Sequence, residues 1–169
     1  MNIEPCFVYK KSIFIANKLK ESAWGTPTRF AALVPRKEDL FNDCKTMSDK
    51  MALLQRLVNI VNHAYVVGEH SMWTENIRTD CDDLENKLEN EMIILLIKGT
   101  KVGNVPEKNI INENSIIGQI LCNTEFDREH QLAEFGKFAI QEEYQNLGLG
   151  KFLISAAEER ARFTGCKRF

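Results

Sequence analysis

The stretch Ala139-Ile140-Gln141-Glu142-Glu143-Tyr144-Gln145-Asn146-Leu147-Gly148-Leu149-Gly150-Lys151 joins a predicted strand to a predicted helix. Two glycines, Gly148 and Gly150, stand where that helix begins, and the absence of a Cβ atom lets an anion approach the backbone there. Unpaired N–H groups and aligned peptide dipoles at a helix start attract negative charge. The stretch therefore predicts a phosphate-binding loop between a strand and a helix.

Neither of two well-known phosphate loops fits this stretch. A P-loop ends in Gly-Lys-Ser/Thr, whereas Gly150-Lys151 is followed here by Phe152. The Gly-x-Gly-x-x-Gly fingerprint of a dinucleotide fold needs a third glycine where Leu153 stands. A nucleotide-binding domain is therefore disfavoured.

The loop does resemble the acetyl-CoA loop of the GNAT superfamily of N-acetyltransferases, whose signature is Gln/Arg-x-x-Gly-x-Gly/Ala. Gln145, Gly148 and Gly150 occupy its three defined positions. The preceding residues 133–140 are similar to the matching strand of the histone-acetyltransferase branch. Upstream, a set of residues resembles the first-helix region of the family: Asn62, His63, Ala64, Tyr65, Glu69, Met72 and Trp73. The resemblance covers roughly residues 50–169.

This resemblance implies an enzyme that transfers an acetyl group from acetyl-CoA, its co-substrate, to a primary amine of a small molecule or peptide. Backbone at positions 138–140 then pairs with the pantetheine arm, and the loop holds the pyrophosphate. The residues assigned to the coenzyme are Phe138, Ala139, Ile140, Gln145, Asn146, Leu147, Gly148, Leu149, Gly150 and Lys151. For Lys151, a solvated helix lysine is an equally good interpretation.

Glu134 is the candidate general base, acting directly or through water, because the histone-acetyltransferase branch carries a glutamate in this strand. Strand alternation places Glu134, Gly136, Phe138 and Ile140 on one face, and we expect that face to be buried. The alternative is a solvated strand charge.

Three residues are candidates for the acceptor pocket: Tyr65, Glu69 and Trp73. Packing in the core explains the two aromatic side chains equally well. The acceptor itself is not identified by any of these residues.

Hydrophobic periodicity predicts helices over residues 48–66, 80–89 and 150–164, and strands over 92–97, 115–122 and 132–140. Residues 123–130 are expected to form a charged turn. The fold class is therefore α/β, a GNAT-like mixed and mainly antiparallel sheet flanked by helices.

Two parts are expected, an N-terminal extension of uncertain structure (1–47) and a GNAT-like acetyltransferase domain (48–169). Within the extension, residues 7–9, 12–16 and 30–34 are strand candidates. The domain is expected to lack the family's C-terminal strands, which leaves an open sheet edge. A second chain, giving a homodimer, or the strand 12–16 is expected to pair there. The alternative function is a non-catalytic acetyl-CoA-binding or interaction module.

Composition excludes several other functions. The 169 residues carry a formal net charge of −2, so the chain has neither the basic footprint of a nucleic-acid binder nor a polybasic membrane anchor. Five cysteines without a CxxC pair make zinc or disulfide sites poor interpretations, and no metal site is predicted. A cytoplasmic location is expected, with the nucleus as the other possibility.

Overall fold

Six strands and four α-helices form the part of the chain that the computed structural model describes, which is residues 7–10, 13–21, 27–41, 44–68, 77–99 and 114–169. The strands are β1 (Phe7–Lys10), β2 (Ile13–Glu21), β3 (Pro27–Leu33), β4 (Ile93–Gly99), β5 (Ile116–Asp127) and β6 (Leu132–Ile140). The helices are α1 (Lys37–Phe41), α2 (Met47–Gly68), α3 (Cys81–Glu89) and α4 (Leu149–Phe163).

The strands make one sheet in the order β1-β2-β3-β4-β5-β6, and each neighbouring pair is antiparallel. The predicted class, a mainly antiparallel sheet flanked by helices, is confirmed. β3 pairs with β4, so strands from the segment 1–47 hydrogen-bond into the same sheet as β4, β5 and β6. Residues 13–16 of the candidate strand 12–16 lie in β2 between β1 and β3, so the prediction that this strand pairs beside β6 is wrong.

Each face of the sheet carries its own core. The α2/α3 face buries Leu54, Leu57, Val61, Leu84 and Leu88 of the helices against Ile93, Leu95 and Ile97 of β4. The α4 face buries Leu153, Ala156, Ala157 and Ala161 against Ile94, Leu96 and Ile120. β4 is covered on both faces, which explains its unbroken apolar run. The alanines let α4 lie close to the sheet, so its first turn is held beside the end of β6.

β5 is longer than the sequence predicts. It continues to Asp127, because Cys122 and Asn123 still pair with Phe135 and Glu134 of β6. The predicted turn over 123–130 is therefore wrong for its first five residues. Pairing with a partner strand overrides the polar local sequence here.

The outer edge of β6 has a partner at one end. A parallel bridge joins Leu132 to Arg168, and Ala133 N donates to Arg168 O at 2.9 Å. Beside 134–140, none of the described segments supplies a further strand. Self-association through this edge stays a prediction.

Candidate functional site

The turn from β6 to α4 is built by backbone hydrogen bonds. A short 3-10 turn (Glu142–Tyr144) follows the strand, and Gln141 N donates to Ile117 O at 2.9 Å. The side chain of Gln145 then reaches back, with Nε2 3.1 Å from Ile140 O. The glutamine of the loop signature thus braces the loop against the end of β6.

The loop reaches α4 through two left-handed residues. Asn146 has φ of 59° and Gly148, the N-cap, has φ of 69°. The first helical hydrogen bond runs from Phe152 N to Gly148 O at 3.3 Å. The N–H groups of residues 149–151 therefore have no acceptor one turn back in the helix. No acidic residue lies in the first turn, so the positive end of the dipole is not neutralised by the helix itself.

Gly150 lets α4 approach β6. A Cβ atom there would lie 3.2 Å from Phe138 Cζ and 3.9 Å from Ile140 Cδ1. Phe138 is 38% exposed and therefore forms an apolar wall beside the loop. Leu149 is buried, and Leu147 packs against the same core, so both side chains anchor the loop and leave only their backbone towards a ligand.

A β-bulge interrupts β6 just before the loop. Leu121 pairs with Gly136 but Gln119 pairs with Ala139, so Lys137 and Phe138 together oppose a single residue of β5. Lys137 has φ of 45°, in the left-handed region that costs a non-glycine residue about 1–2 kcal/mol. A bulge of this kind bends the strand and re-aims its side chains.

The bulge corrects the predicted face of Glu134. Phe138 and Ile140 lie on the α4 face, whereas Gly136 faces Leu121 in the α2/α3 core. Alternation before the bulge puts Glu134 on the face of Gly136. The four residues do not share one face, and Glu134 is exposed where we expected it to be buried. Its role as a base stays a prediction.

Of the acceptor-side candidates, only Tyr65 lies within the described residues; Glu69 and Trp73 lie outside them. Tyr65 is half-buried and packs against the α2/α3 core. The guanidinium carbon of Arg78 lies 4.8 Å from the centroid of its ring. The aromatic ring thus takes part in packing and also borders the segment that enters α3.

That segment is hydrogen-bonded to α2 through Asn62. Asn62 Nδ2 donates to Thr79 O at 3.0 Å, while its Oδ1 accepts from Arg78 N at 2.9 Å and from Thr79 N at 3.2 Å. Asp80 caps α3, because its Oδ1 accepts from Asp83 N at 2.8 Å. The entry to α3 therefore has a fixed backbone.

A second set of contacts joins this segment to the bulge. Lys137 Nζ lies 2.7 Å from Arg78 O and 2.8 Å from Asp83 Oδ2. Asp83 also accepts from Thr79 Oγ1 at 2.6 Å and pairs with Lys87. Burial alone would raise the pKa of Asp83, but the hydrogen bonds from Lys137, Lys87 and Thr79 hold it well below its ordinary value. Sequence reasoning missed this cluster, since Lys137 and Arg78 are 59 positions apart.

A groove of about 770 Å³ runs between α2 and the β6–α4 turn. Arg56 and His63 line it on the helix side, and Glu142 and Glu143 line it on the turn side. Arg56 Nη2 donates to Ile116 O at 3.5 Å. The local sequence gives no indication that α2 lies beside the β6–α4 turn.

Other chemistries find little support in the described residues. No group of three or more His, Cys, Asp or Glu side chains is placed there to hold a metal ion. Burial raises the pKa of Cys122 to about 11, so its thiol stays protonated at neutral pH. No helix in the described ranges combines the length and apolar character needed to cross a bilayer.

Comparison with known proteins identifies a family whose matched region includes the β6–α4 turn. The model of the acetyltransferase (GNAT) family matches residues 71–169, more than half of the chain. The matched region contains β4, β5, β6, the whole loop and α4. No match was found among curated proteins.

Proposed function

Because the chain belongs to the GNAT family of acetyltransferases, we propose that it transfers an acetyl group from acetyl-CoA to a primary amine. The observation that carries this proposal is the turn after β6. There Gly148 is left-handed and the first N–H groups of α4 lack helical acceptors. Such a turn has the shape and charge that a pyrophosphate needs.

The loop recognises phosphate through its backbone. Dipole attraction at a helix start contributes roughly 0.3–1 kcal/mol per charge, and hydrogen bonds to a charged group about 1.5–3 kcal/mol each. Lys151 is exposed in the first turn of α4, where its ammonium adds to the attraction. Side chains other than Lys151 need contribute little, which fits the buried positions of Leu149 and Ile140.

The pantetheine arm runs along the outer edge of β6. Its amides pair with backbone at 138–140 as an added strand would. None of the described segments occupies that edge, so the backbone groups there are accessible to a ligand. The bulge at Lys137 then turns backbone N–H groups towards the thioester carbonyl, where they stabilise the oxyanion that forms on attack. Holding both reactants in line is the main catalytic contribution.

Proton removal from the amine falls to Glu134, directly or through water. Its exposure on β6 lets solvent carry the proton away, and general-base catalysis contributes about 10²–10⁴-fold. The four cysteines among the described residues are free thiols, and Cys122 and Cys166 are buried, which fits a cytoplasmic location.

Calorimetry with acetyl-CoA tests the loop, using the two glycines that flank α4. Gly148 and Gly165 both have positive φ, and a Cβ atom at Gly165 meets nothing within 4 Å. Replacing either by glutamate therefore brings a similar backbone strain and the same charge. We expect Gly148→Glu to weaken binding by about 100-fold or more, because a carboxylate enters the phosphate site.

Gly165→Glu is the control and should keep the acetyl-CoA affinity within about threefold, with a fall in melting temperature at least as large, because the helix dipole does not favour a carboxylate beyond the end of α4. Equal affinities for the two variants would refute the loop assignment. Release of free thiol with a lysine peptide, spermidine or tryptamine then tests transfer. Binding without release would favour a non-catalytic acetyl-CoA-binding module.

A further inference from the structure

Lys137 occupies a position in the bulge that favours glycine. Its φ of 45° lies in the left-handed region, which a lysine adopts only at a conformational cost. The side chain is only 17% exposed, and its ammonium contacts Arg78 O and the carboxylate of Asp83. The contacts of the side chain, rather than the backbone conformation, therefore account for a lysine at this place.

The other end of these contacts is a rigid segment. Asn62 fixes residues 78–79 to α2, and Thr79 and Asp80 fix the first turn of α3. Arg78 stacks on Tyr65, so this ring moves with the segment. Lys137 thus joins β6 to the entry of α3 through its side chain.

We propose that Lys137 is a positioning residue, which holds the entry of α3 and the Tyr65–Arg78 pair at a fixed distance from the bulge. The inference rests on the proposed function, in which the bulge turns N–H groups towards the thioester, and on Tyr65 as the candidate residue of the acceptor pocket. The coenzyme loop lies beyond the bulge and keeps its own hydrogen bonds, such as that of Gln145 to Ile140. Loss of the Lys137 contacts should therefore impair reaction with a bulky acceptor and leave coenzyme binding intact.

Lys137→Gly separates the contacts from the backbone, because glycine favours the φ of the bulge. Lys137→Arg keeps a cation that can reach the same carboxylate. Lys87→Met is the matched control, since it removes the other lysine of Asp83 without altering β6. Lys137→Met is the second variant should the glycine variant fold poorly.

The readouts are the acetyl-CoA affinity and kcat/KM for two acceptors. One acceptor is whichever of the lysine peptide, spermidine or tryptamine the wild type acetylates fastest; the other is hydroxylamine, which is too small to need an acceptor wall. We expect Lys137→Gly to lower kcat/KM for the larger amine by about tenfold or more. Acetyl-CoA affinity and the hydroxylamine reaction should stay within about threefold, and Lys137→Arg and Lys87→Met should stay near the wild type.

An equal loss with both acceptors, or an equal loss in Lys87→Met, would overturn the positioning role. If the wild type is active and Lys137→Gly keeps the kcat/KM for the larger amine, the positioning role is wrong and the proposed function still stands. A wild type that binds acetyl-CoA and acetylates none of these four amines would refute the proposed function, and the positioning role with it.

Discussion

Gly118 lies where β5 passes closest to the end of β6, so replacing it with alanine should disturb both stability and the coenzyme site. A Cβ atom there would lie 2.7 Å from the carbonyl oxygen of Ala139 and 3.1 Å from Ile140 Cγ1. Ordinary contact begins at 3.4 Å, so the backbone of Ala139 must retreat by several tenths of an ångström. Overpacking of this kind destabilises by about 1–3 kcal/mol, or roughly 2–12 °C in melting temperature for a chain of this length.

The displaced backbone also leads into the loop, because Gln145 Nε2 bonds to Ile140 O. Acetyl-CoA affinity should fall about tenfold or more alongside stability. Gly136→Ala on the neighbouring strand is the control: its Cβ would meet Leu121 Cδ2 at an ordinary 3.6 Å, so we expect it to be neutral or stabilising by about 0.4–1 kcal/mol. Differential scanning calorimetry and isothermal titration measure the two effects. If Gly118→Ala and Gly136→Ala had the same melting temperature and the same acetyl-CoA affinity, the close approach of β5 to β6 would not be required for stability or binding.

Two further predictions concern carboxylates. Glu134→Gln should lower turnover about 100-fold or more with unchanged acetyl-CoA affinity. Glu129→Gln, at another exposed glutamate, is the control and should have no effect. An unaltered pH–rate profile in Glu134→Gln would assign proton transfer to another group. Asp83→Asn should destabilise by about 1–2 kcal/mol at pH 7, a value reduced for the partial exposure of the side chain. Since the lowered pKa keeps Asp83 ionised in the folded state, this difference should be complete above pH 5 and shrink as pH falls through 4 towards 3; urea unfolding that shows a constant difference would contradict the ion-pair argument.

The turn that joins β6 to α4 was predictable because it is local in sequence. An anion site at a helix start depends only on the glycines and the dipole of that helix. The bounds of α4 and β6 lie within one residue of the predicted bounds. α2 was equally clear, since its apolar residues recur at helical spacing over six turns. In each case the signal lies within one element and is independent of its neighbours.

The face of Glu134 was not predictable, because the bulge depends on two strands at once. The sequence of β6 does not mark the bulge, and only pairing with β5 shows that Lys137 and Phe138 share one partner position. The extension of β5 to Asp127 has the same origin. Register is a property of the pair of strands, and one extra residue reverses every side chain beyond it.

The acceptor side that we propose is made by α2, the entry of α3 and the bulge, which are far apart in the chain. Asn62, Arg78, Asp83 and Lys137 are each ordinary polar residues in sequence, and only folding brings them into one hydrogen-bonded cluster. This difference explains why the donor could be inferred from the sequence while the amine could not. A pyrophosphate is recognised by backbone that one short motif specifies, whereas an amine acceptor is selected by the distance between separate elements. If Lys137 sets that distance, the residues that decide the acceptor lie around its contacts with α3 and not in the loop.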